Sequence, residues 1–241
     1  MADIWQQTLN WQPNSQQQQL FQQLYELILS GNRQLNLTRI TSPDDFWEKH
    51  LWDSLRGISP LMTQLPENSP QFKIIDIGTG GGFPGIPAAI TLANSSVMLL
   101  DSTRKKVAFL ENIIPQLNLT NVTTATGRAE VIAQEFQHRN RYDVALTRAV
   151  STASVCAEYS LPLLKPGGLA IIYRGNWTEE ENQALEKTAQ RLNSHIEKID
   201  QFTTPLSHSI RHCLHLRKGT PRSQGGVRLR NPNPLSDSNQ G

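Results

Sequence analysis

The chain has 241 residues, of which 37% are hydrophobic and 18% are charged, and its formal net charge is +2. These values are typical of a globular protein with one sizeable core, and so small a charge by itself neither indicates nor excludes nucleic-acid binding. Cys156 and Cys213 lie far apart without CxxC spacing, which speaks against a disulfide framework and a structural zinc site. Residues 1–19 are polar, and no apolar run approaches the roughly 20 residues of a membrane helix. We therefore expect a cytoplasmic protein that does not bind membranes.

Residues 1–70 are predicted to form a helical extension packed on the main domain. Leu20, Leu24 and Ile28 recur at helical spacing, and Gly31 is predicted to end this first helix. The spacing indicates one amphipathic helix.

A second helix is predicted to begin within the sequence "TSPDDFWEKHLWDSL". Ser42 is a suitable N-cap, and Pro43 suits the first helical position. Its buried stripe is predicted to consist of Trp47, Leu51, Leu55 and Ile58.

From Phe72 onward, short β-rich runs alternate with helical segments. The runs are "FKIIDI", "VMLLD", "VTTAT", "YDVALT", "LAIIY", "HIEKIDQF" and "IRHCLHLR". Helices are predicted to start near Pro84, Thr103, Glu130 and Thr152, with a longer one at residues 178–194. This alternation predicts an α/β fold with a doubly wound, mostly parallel seven-stranded sheet covered on both faces. Only the short link "TTPLS" joins the last two strands, so the last strand is predicted to run antiparallel to its neighbour.

The main domain is predicted to span residues 71–218, followed by a flexible tail at residues 219–241. This tail is rich in Gly, Pro and Ser, a composition that is typical of disordered segments. No acidic residue occurs between Arg211 and Asp237, and the basic residues from Arg211 to Arg230 suit contact with RNA phosphates. A tail that serves only solubility is the alternative.

The stretch "KIIDIGTGGGFPGIPAAI", residues 73–90, contains five glycines directly after an apolar run. A P-loop requires Lys and then Ser or Thr after its last glycine, but Phe83 and Pro84 stand in this loop instead, which excludes a nucleoside-triphosphate site of that kind. Gly80, Gly82 and Gly85 match GxGxxG, so a dinucleotide site stays open.

Two carboxylates near this loop favour a cofactor without a pyrophosphate. Asp76 ends the first strand, just before the glycines, where it would attract an ammonium group and repel a pyrophosphate. Asp101 ends the second strand and suits ribose hydroxyls, which both kinds of cofactor possess.

Further motifs point to a family. "DIGTGGG", then "LLD" one strand later, and "LLKPGG" before the fifth strand resemble class I S-adenosylmethionine-dependent methyltransferases. More narrowly, "NLTRI", "KHLWDSL", "DIGTGGGFPGIP", "LLDSTRKKVAFL", "GRAE" and "LTRAV" together resemble the ribosomal RNA small subunit methyltransferase G family, also called glucose-inhibited division protein B. The resemblance covers roughly residues 36–218. It implies a Rossmann-like core that uses S-adenosylmethionine to methylate N7 of one guanine in 16S rRNA, with 16S rRNA or the 30S ribosomal subunit as partner.

The resemblance also implies a cofactor site. Its contacts would be Gly78, Gly80, Gly82, Phe83, Asp101, Ser102, Thr103, Ala129, Glu130 and Arg148. These positions follow the carboxyl ends of four strands, where doubly wound sheets bind ligands. Simpler interpretations stay open, with Asp101 as an N-cap, Glu130 favouring the positive end of a helix, and Arg148 paired with a surface carboxylate.

The second helix carries Phe46, Lys49, His50 and Asp53 on a face distinct from its apolar stripe. The resemblance makes this face a candidate wall of the active site, with Arg148, His50 and Asp53 as its catalytic residues. We expect positioning roles for them and no general base, because guanine N7 carries a lone pair and no proton. An ion-paired, solvated helix face is the alternative.

Other candidate sites are weak. In "HSIRHCLHLRK", Cys213 and His215 share one strand face while His212 lies on the other, so we predict no metal site. Cys156 lies in a helical run and is expected to be a small buried residue. The sequence "LTRAV" stands where amine methyltransferases typically carry an Asn-Pro-Pro-Tyr or Asp-Pro-Pro-Tyr motif, which speaks against methylation of an amine.

Three alternative functions stay open. They are a small-molecule methyltransferase, an NAD(P) oxidoreductase on a similar sheet, and a non-catalytic RNA-binding module. We expect a monomer.

Overall fold

The computed structural model describes residues 2–63 and 72–220 of the chain. The predicted boundary between residues 70 and 71 and the predicted tail from residue 221 onward lie outside the described residues. None of the helices in the described ranges combines the length and the apolar character needed to cross a lipid bilayer.

Two helices open the chain, α1 at Ala2–Leu9 and α2 at Ser15–Leu35. Helix α1 lies within the predicted helical extension, although no separate helix was predicted there. Helix α2 begins with a capping box, in which Asn14 Oδ1 accepts a hydrogen bond from Gln17 N at 2.9 Å and Gln17 Oε1 accepts one from Asn14 N at 3.0 Å.

The predicted end of α2 at Gly31 is wrong. The helix continues to Leu35 and ends at Asn36, whose φ of 49° lies in the left-handed region that asparagine tolerates. A Cβ on Gly31 would lie 2.2 Å from Cε2 of Phe109. The glycine therefore permits close packing between α2 and the rest of the domain, and it does not terminate the helix.

The second predicted helix is a run of three segments, α3 at Pro43–Phe46, a π-helix at Trp47–Trp52 and α4 at Asp53–Thr63. Ser42 Oγ accepts a hydrogen bond from Asp45 N at 3.3 Å, which confirms the predicted cap. The predicted buried stripe is also confirmed, since its members are at most 8% exposed: Trp47, Leu51, Leu55 and Ile58.

The strands are β1 (Lys73–Ile77), β2 (Ser96–Asp101), β3 (Val122–Thr126), β4 (Tyr142–Arg148), β5 (Leu164–Arg174), β6 (Ser194–Thr203) and β7 (Ile210–Lys218). Within the described residues they form one seven-stranded sheet in the order β3-β2-β1-β4-β5-β7-β6. The pairings among β1 to β5 are parallel, whereas β7 runs antiparallel to both β5 and β6. The mostly parallel sheet and the reversed last strand are both confirmed.

The helices that follow the strands begin within one residue of the predicted starts. They are α5 (Gly85–Thr91), α6 (Arg104–Gln116), α7 (Ala129–Ile132), α8 (Ala153–Ser160) and α9 (Glu179–Arg191). Helix α9 begins with a capping box of Thr178 and Glu181, and Thr178 Oγ1 accepts a hydrogen bond from Glu181 N at 3.3 Å.

The N-terminal helices pack on one face of the sheet. Leu24, Ile28 and Leu55 are fully buried in the same cluster as Ile74 of β1, whereas Ile75 belongs to the cluster on the opposite face. Burial of each such aliphatic side chain stabilises the fold by about 1.5 to 3 kcal/mol. This packing holds the π-helix beside the carboxyl ends of β1 and β4.

Candidate active site

The turn after β1 adopts a backbone that requires glycine. Gly78, Gly80 and Gly82 have φ values of 70°, 60° and 98°, which side-chain-bearing residues rarely adopt. At Gly82 the space is also closed, because a Cβ would lie 2.4 Å from Cδ1 of Ile86. The glycines shape a tight turn that leads directly into α5.

Asp76 braces this turn from below. Its Oδ2 accepts hydrogen bonds from Thr79 Oγ1 at 2.6 Å and from Gly85 N at 2.7 Å. Within the described residues, Oδ1 of the same carboxyl group has no hydrogen-bond partner. Burial raises the pKa of Asp76 to about 6, although both hydrogen bonds act in the opposite direction.

Asp101 links the turn after β1 to the turn after β2. Its Oδ2 accepts a hydrogen bond from Gly80 N at 2.9 Å, and its Oδ1 accepts one from Thr103 N at 2.8 Å. The carboxylate is 6% exposed. Asp101 is not the N-cap of α6, because Thr103 occupies that position, but its carboxylate holds the backbone just before the helix.

A first cavity of ≈ 160 Å³ opens at the carboxyl ends of β1, β2 and β3. Its lining comprises Ile77, Gly78, Leu100, Asp101, Ser102, Gly127, Arg128, Ala129, Glu130, Val150 and Tyr159. The structure thus brings together Gly78, Asp101, Ser102, Ala129 and Glu130 of the predicted cofactor residues. The other predicted residues do not line it: Gly80, Gly82, Phe83, Thr103 and Arg148.

Some lining residues were not predicted individually. Gly127 and Arg128 directly follow β3, so the rule on carboxyl ends of strands could have found them. Tyr159 lies on α8, and its sequence neighbourhood carries no signal for this position. Arg128 Nε donates a hydrogen bond to Glu130 Oε1 at 2.5 Å, which places an exposed ion pair at the rim.

A second cavity of ≈ 360 Å³ lies beyond the end of β4. Its lining comprises Ile40, Glu48, Lys49, His50, Asp53, Arg148, Ala149, Tyr173, Arg174, Gly175, Thr204 and Arg211. The two linings share no residue, but Ala149 of the second cavity and Val150 of the first are consecutive in the chain. Ala149 has a φ of 57°, a left-handed conformation for a residue with a side chain, and this bend separates Arg148 in one cavity from Val150 in the other.

Arg148 joins the end of β4 to the helical wall. Its Nη1 donates hydrogen bonds to Lys49 O at 2.9 Å and to Asp53 Oδ2 at 3.0 Å, and its Nη2 lies 3.3 Å from His50 Nδ1. The side chains of Arg148 and Asp53 are only 14% and 13% exposed. Arg148, Asp53 and His50 therefore form one buried group, whereas Lys49 of the same face forms the alternative, a partly exposed ion pair with Asp45.

The contacts of His50 determine its tautomer. A guanidinium only donates hydrogen bonds, so Nδ1 accepts from Arg148, and the ring hydrogen lies on Nε2 and is donated to Thr38 Oγ1 at 2.8 Å. Burial, together with the charge of Arg148, lowers the pKa of His50 to about 3. The imidazole is thus neutral near pH 7, with both nitrogens engaged.

Phe83 connects the glycine turn to this wall without lining the first cavity. Its ring stacks on His50 with centroids 4.4 Å apart and 12° between the ring planes, and Phe46 packs edge-on at 5.6 Å. The guanidinium carbon of Arg148 lies 5.8 Å from the Phe83 centroid. Phe83 therefore holds the orientation of His50 from the side of the cofactor turn.

The π-helix explains how the wall reaches Arg148. Asp53 N donates to Glu48 O, one residue farther than in an α-helix, so Lys49 O does not receive that bond and accepts from Arg148 instead. Tyr173 OH donates to Ser54 O at 2.7 Å and fixes the following turn to β5. Such single π-turns occur frequently at functional sites.

Arg211 of β7 differs from the other cations of the second cavity. Those cations are neutralised in the pairs Lys49–Asp45, Arg148–Asp53 and Arg174–Glu181, with distances of 2.6, 3.0 and 2.7 Å. In residues 2–63 and 72–220 the half-buried Arg211 has no ion-pair or hydrogen-bond partner for its side chain. It is therefore the cation of this cavity that is available to an anionic or carbonyl ligand.

The described part of the chain contains no group of three or more His, Cys, Asp or Glu side chains arranged to hold a metal ion. His212 Nδ1 lies 2.7 Å from Gly175 O, so this ring is engaged with the backbone. Cys156 is buried, as predicted for a packing residue.

Comparisons with known proteins agree with one another. A family model described as rRNA small subunit methyltransferase G matches residues 17–212. The Ribosomal RNA small subunit methyltransferase G of Nostoc punctiforme is 67% identical over 90% of this chain and 89% of its own length. That of Microcystis aeruginosa is 50% identical over 90% of this chain and 97% of its own.

Solved structures share the fold at low sequence identity. A SAM-dependent O-methyltransferase from Thermotoga maritima has a TM-score of 0.51 and 18% identity, covering 83% of this chain and 73% of its own. TYW2 from P. horikoshii, solved in complex with MeSAdo, has a TM-score of 0.54 and 15% identity, covering 73% and 63%. These likenesses establish the methyltransferase type of doubly wound sheet.

Proposed function

Since the chain belongs to the rRNA small subunit methyltransferase G family, we propose that it transfers a methyl group from S-adenosylmethionine to N7 of one guanine in 16S rRNA. The main support is a pair of cavities at the carboxyl ends of the strands, with Ala149 lining one and the next residue, Val150, lining the other. One cavity carries the acidic and glycine residues of a cofactor site, and the other carries an unpaired arginine. A transferred group would pass from cofactor to substrate beside these two residues.

The residues of the first cavity fit S-adenosylmethionine better than a dinucleotide. Asp101 lines the cavity, Asp76 lies directly beneath the turn, and Oδ1 of Asp76 has no partner in the described chain. Negative charge at this turn opposes a pyrophosphate and favours a cofactor with an ammonium and a sulfonium group. When bound, S-adenosylmethionine supplies an electrophilic methyl group.

Some of the predicted residues would contact the cofactor, and others would hold the turns that surround it. Gly78 allows close approach of the backbone, Asp101 accepts ribose hydroxyl bonds, and Ala129 and Glu130 bound the far side. Ser102 also lines this cavity, whereas Arg148 belongs to the second cavity. The other four predicted contacts act by holding the turns in shape: Gly80, Gly82, Phe83 and Thr103.

The second cavity would hold the guanine. Its N7 attacks without losing a proton, so the protein has to align the base, exclude water and tolerate the positive charge that develops on the purine. The Arg148–Asp53 pair is neutral as a unit, and neutral His50 adds no charge. These residues therefore shape the wall without repelling the cationic product.

The proposed partner is small-subunit rRNA, either free or within the 30S subunit. Arg211 would reach a phosphate of the RNA, because it lacks a carboxylate of its own among the described residues. We also propose that the protein is located in the cytoplasm and acts as a monomer.

Methyl transfer to purified RNA tests the proposal. The protein is incubated with methyl-labelled S-adenosylmethionine and either 30S subunits or deproteinised 16S rRNA from cells that lack it, with S-adenosylhomocysteine added in a control reaction. We expect label at a single guanine, mapped by chain cleavage at 7-methylguanosine. Absence of label from both RNAs, or label at another atom, would refute the assignment. Thermal shifts with S-adenosylhomocysteine and with NAD test the cofactor separately.

A further inference from the structure

An exposed aromatic ring occupies the segment between β3 and β4. Phe136 is 85% exposed, more than any other large hydrophobic side chain in the described ranges, and Val131 is 55% exposed. Ile132 and Ala133 of the same segment are buried in the core. The segment is thus anchored on one side and presents an aromatic ring to solvent on the other.

Arginines accompany this ring. The guanidinium carbon of Arg141 lies 4.8 Å from the centroid of Phe136. Arg139 and Arg141 are both exposed, and their hydrogen bonds go to backbone carbonyls, Ala133 O and Phe136 O, each at 3.4 Å. Neither arginine is paired with a carboxylate in the part of the chain that the structure describes. Uncompensated positive charge therefore lies around an exposed aromatic face.

We propose that this surface binds an unpaired base of the rRNA substrate by stacking on Phe136, with its phosphates on the neighbouring arginines. The Phe136 surface consists of Val131, Phe136, Arg139 and Arg141. Arg141 directly precedes β4, so this end of the surface lies at the edge of the sheet opposite to the two cavities. The inference rests on the proposed function, since it takes the same RNA as its ligand.

The chemistry of the surface favours RNA over a protein partner. Unpaired RNA bases stack on aromatic rings and on guanidinium planes, and phosphates bind exposed arginines. A protein-binding patch would instead present a contiguous apolar area, whereas Val131 and Phe136 are interspersed with charged side chains. The RNA would contact this surface with a part that is remote from its target guanine, because Arg141 precedes β4 and the second cavity lies beyond the end of that strand.

Steady-state kinetics of Phe136→Ala with deproteinised 16S rRNA and with 30S subunits test the inference. We expect KM for either RNA to rise about 5- to 20-fold, the effect of losing one stacked base, with kcat within twofold and cofactor affinity unchanged. Phe136→Trp should restore KM. Ile199→Ala removes an apolar side chain that is 36% exposed on β6 and should leave KM unchanged.

Several outcomes would overturn the inference. An unchanged KM in Phe136→Ala would remove the surface from RNA binding, and weaker cofactor binding would give Phe136 a structural role. An effect seen only with 30S subunits would identify a ribosomal protein as the partner. If the wild type transfers no methyl group, the proposed function fails, and filter binding of 16S rRNA still tests the Phe136 surface. Weaker binding by Phe136→Ala than by the wild type would then support this inference.

Discussion

Replacing His50 by glutamine should make the free energy of unfolding less sensitive to acid, because burial of this histidine opposes its protonation. His50 is 9% exposed, and its pKa is lowered to about 3 by burial and by the charge of Arg148. In the unfolded chain its imidazole titrates near its ordinary value of about 6.5. Because the folded state binds this proton less readily, the contribution of neutral His50 is fully present above pH 6.5 and is lost as the pH falls toward 3.

The magnitude follows from the difference between these pKa values. One pKa unit corresponds to about 1.4 kcal/mol, so protonation of His50 in the unfolded chain lowers the free energy of unfolding at pH 5 by about 2 kcal/mol. Asp76 has the opposite effect, because burial raises its pKa to about 6. Its contribution to stability is lost as the pH rises from about 4 to that value. This term is common to the wild type and the His50 variant and cancels in their difference.

Urea unfolding between pH 5 and pH 8 measures the effect. We expect the free energy of unfolding of the wild type to fall between pH 7 and pH 5 by about 2 kcal/mol more than that of His50→Gln. His195→Gln removes a histidine from an exposed position on β6 and serves as the matched control. Parallel curves for the wild type and His50→Gln would refute the reasoning.

The same variant tests the base-free mechanism. Single-turnover methyl transfer on saturating rRNA should be nearly flat between pH 6.5 and 8.5 in the wild type and in His50→Gln, because neutral His50 holds Arg148 and takes no proton. A tenfold rise per pH unit with a pKa near the ordinary histidine value of about 6.5, absent from the variant, would identify His50 as a general base.

Three further predictions concern the cavities and the glycine turn. Asp101→Ala should weaken S-adenosylmethionine binding by about 1 to 3 kcal/mol in calorimetry, and unchanged affinity would leave Asp101 with its structural role alone. Gly82→Ala should lower the free energy of unfolding by about 1 to 3 kcal/mol, because its φ of 98° and the contact with Ile86 both oppose a Cβ. An unaltered urea midpoint would contradict that strain. Arg211→Gln should raise KM for rRNA while cofactor affinity stays constant, and a change confined to kcat would argue against its role in binding.

Much of the sheet was predictable because its signals are local. Each parallel strand is a short β-rich run, and after β4 and β5 the capping side chains of Thr152 and Thr178 mark where helices begin. The short link between β6 and β7 forced a reversal. Gly31 shows the limit of such signals, since a glycine that permits close packing and one that ends a helix look alike in sequence.

The sequence by itself determined the order of the strands and helices, the glycine turn, and the placement of Asp101 and Ala129 at one edge of the sheet. Only the tertiary structure decided what Arg148 does, because its partners lie nearly a hundred residues earlier. His50 lies on the π-helix, which has no local sequence signal, and Asp53 begins α4 directly after it. Burial then set the charge of the site. The imidazole of His50, which would titrate near neutrality in water, is held neutral by desolvation and by the charge of Arg148. Neither its burial nor its contact with Arg148 can be predicted from the residues next to it in the chain.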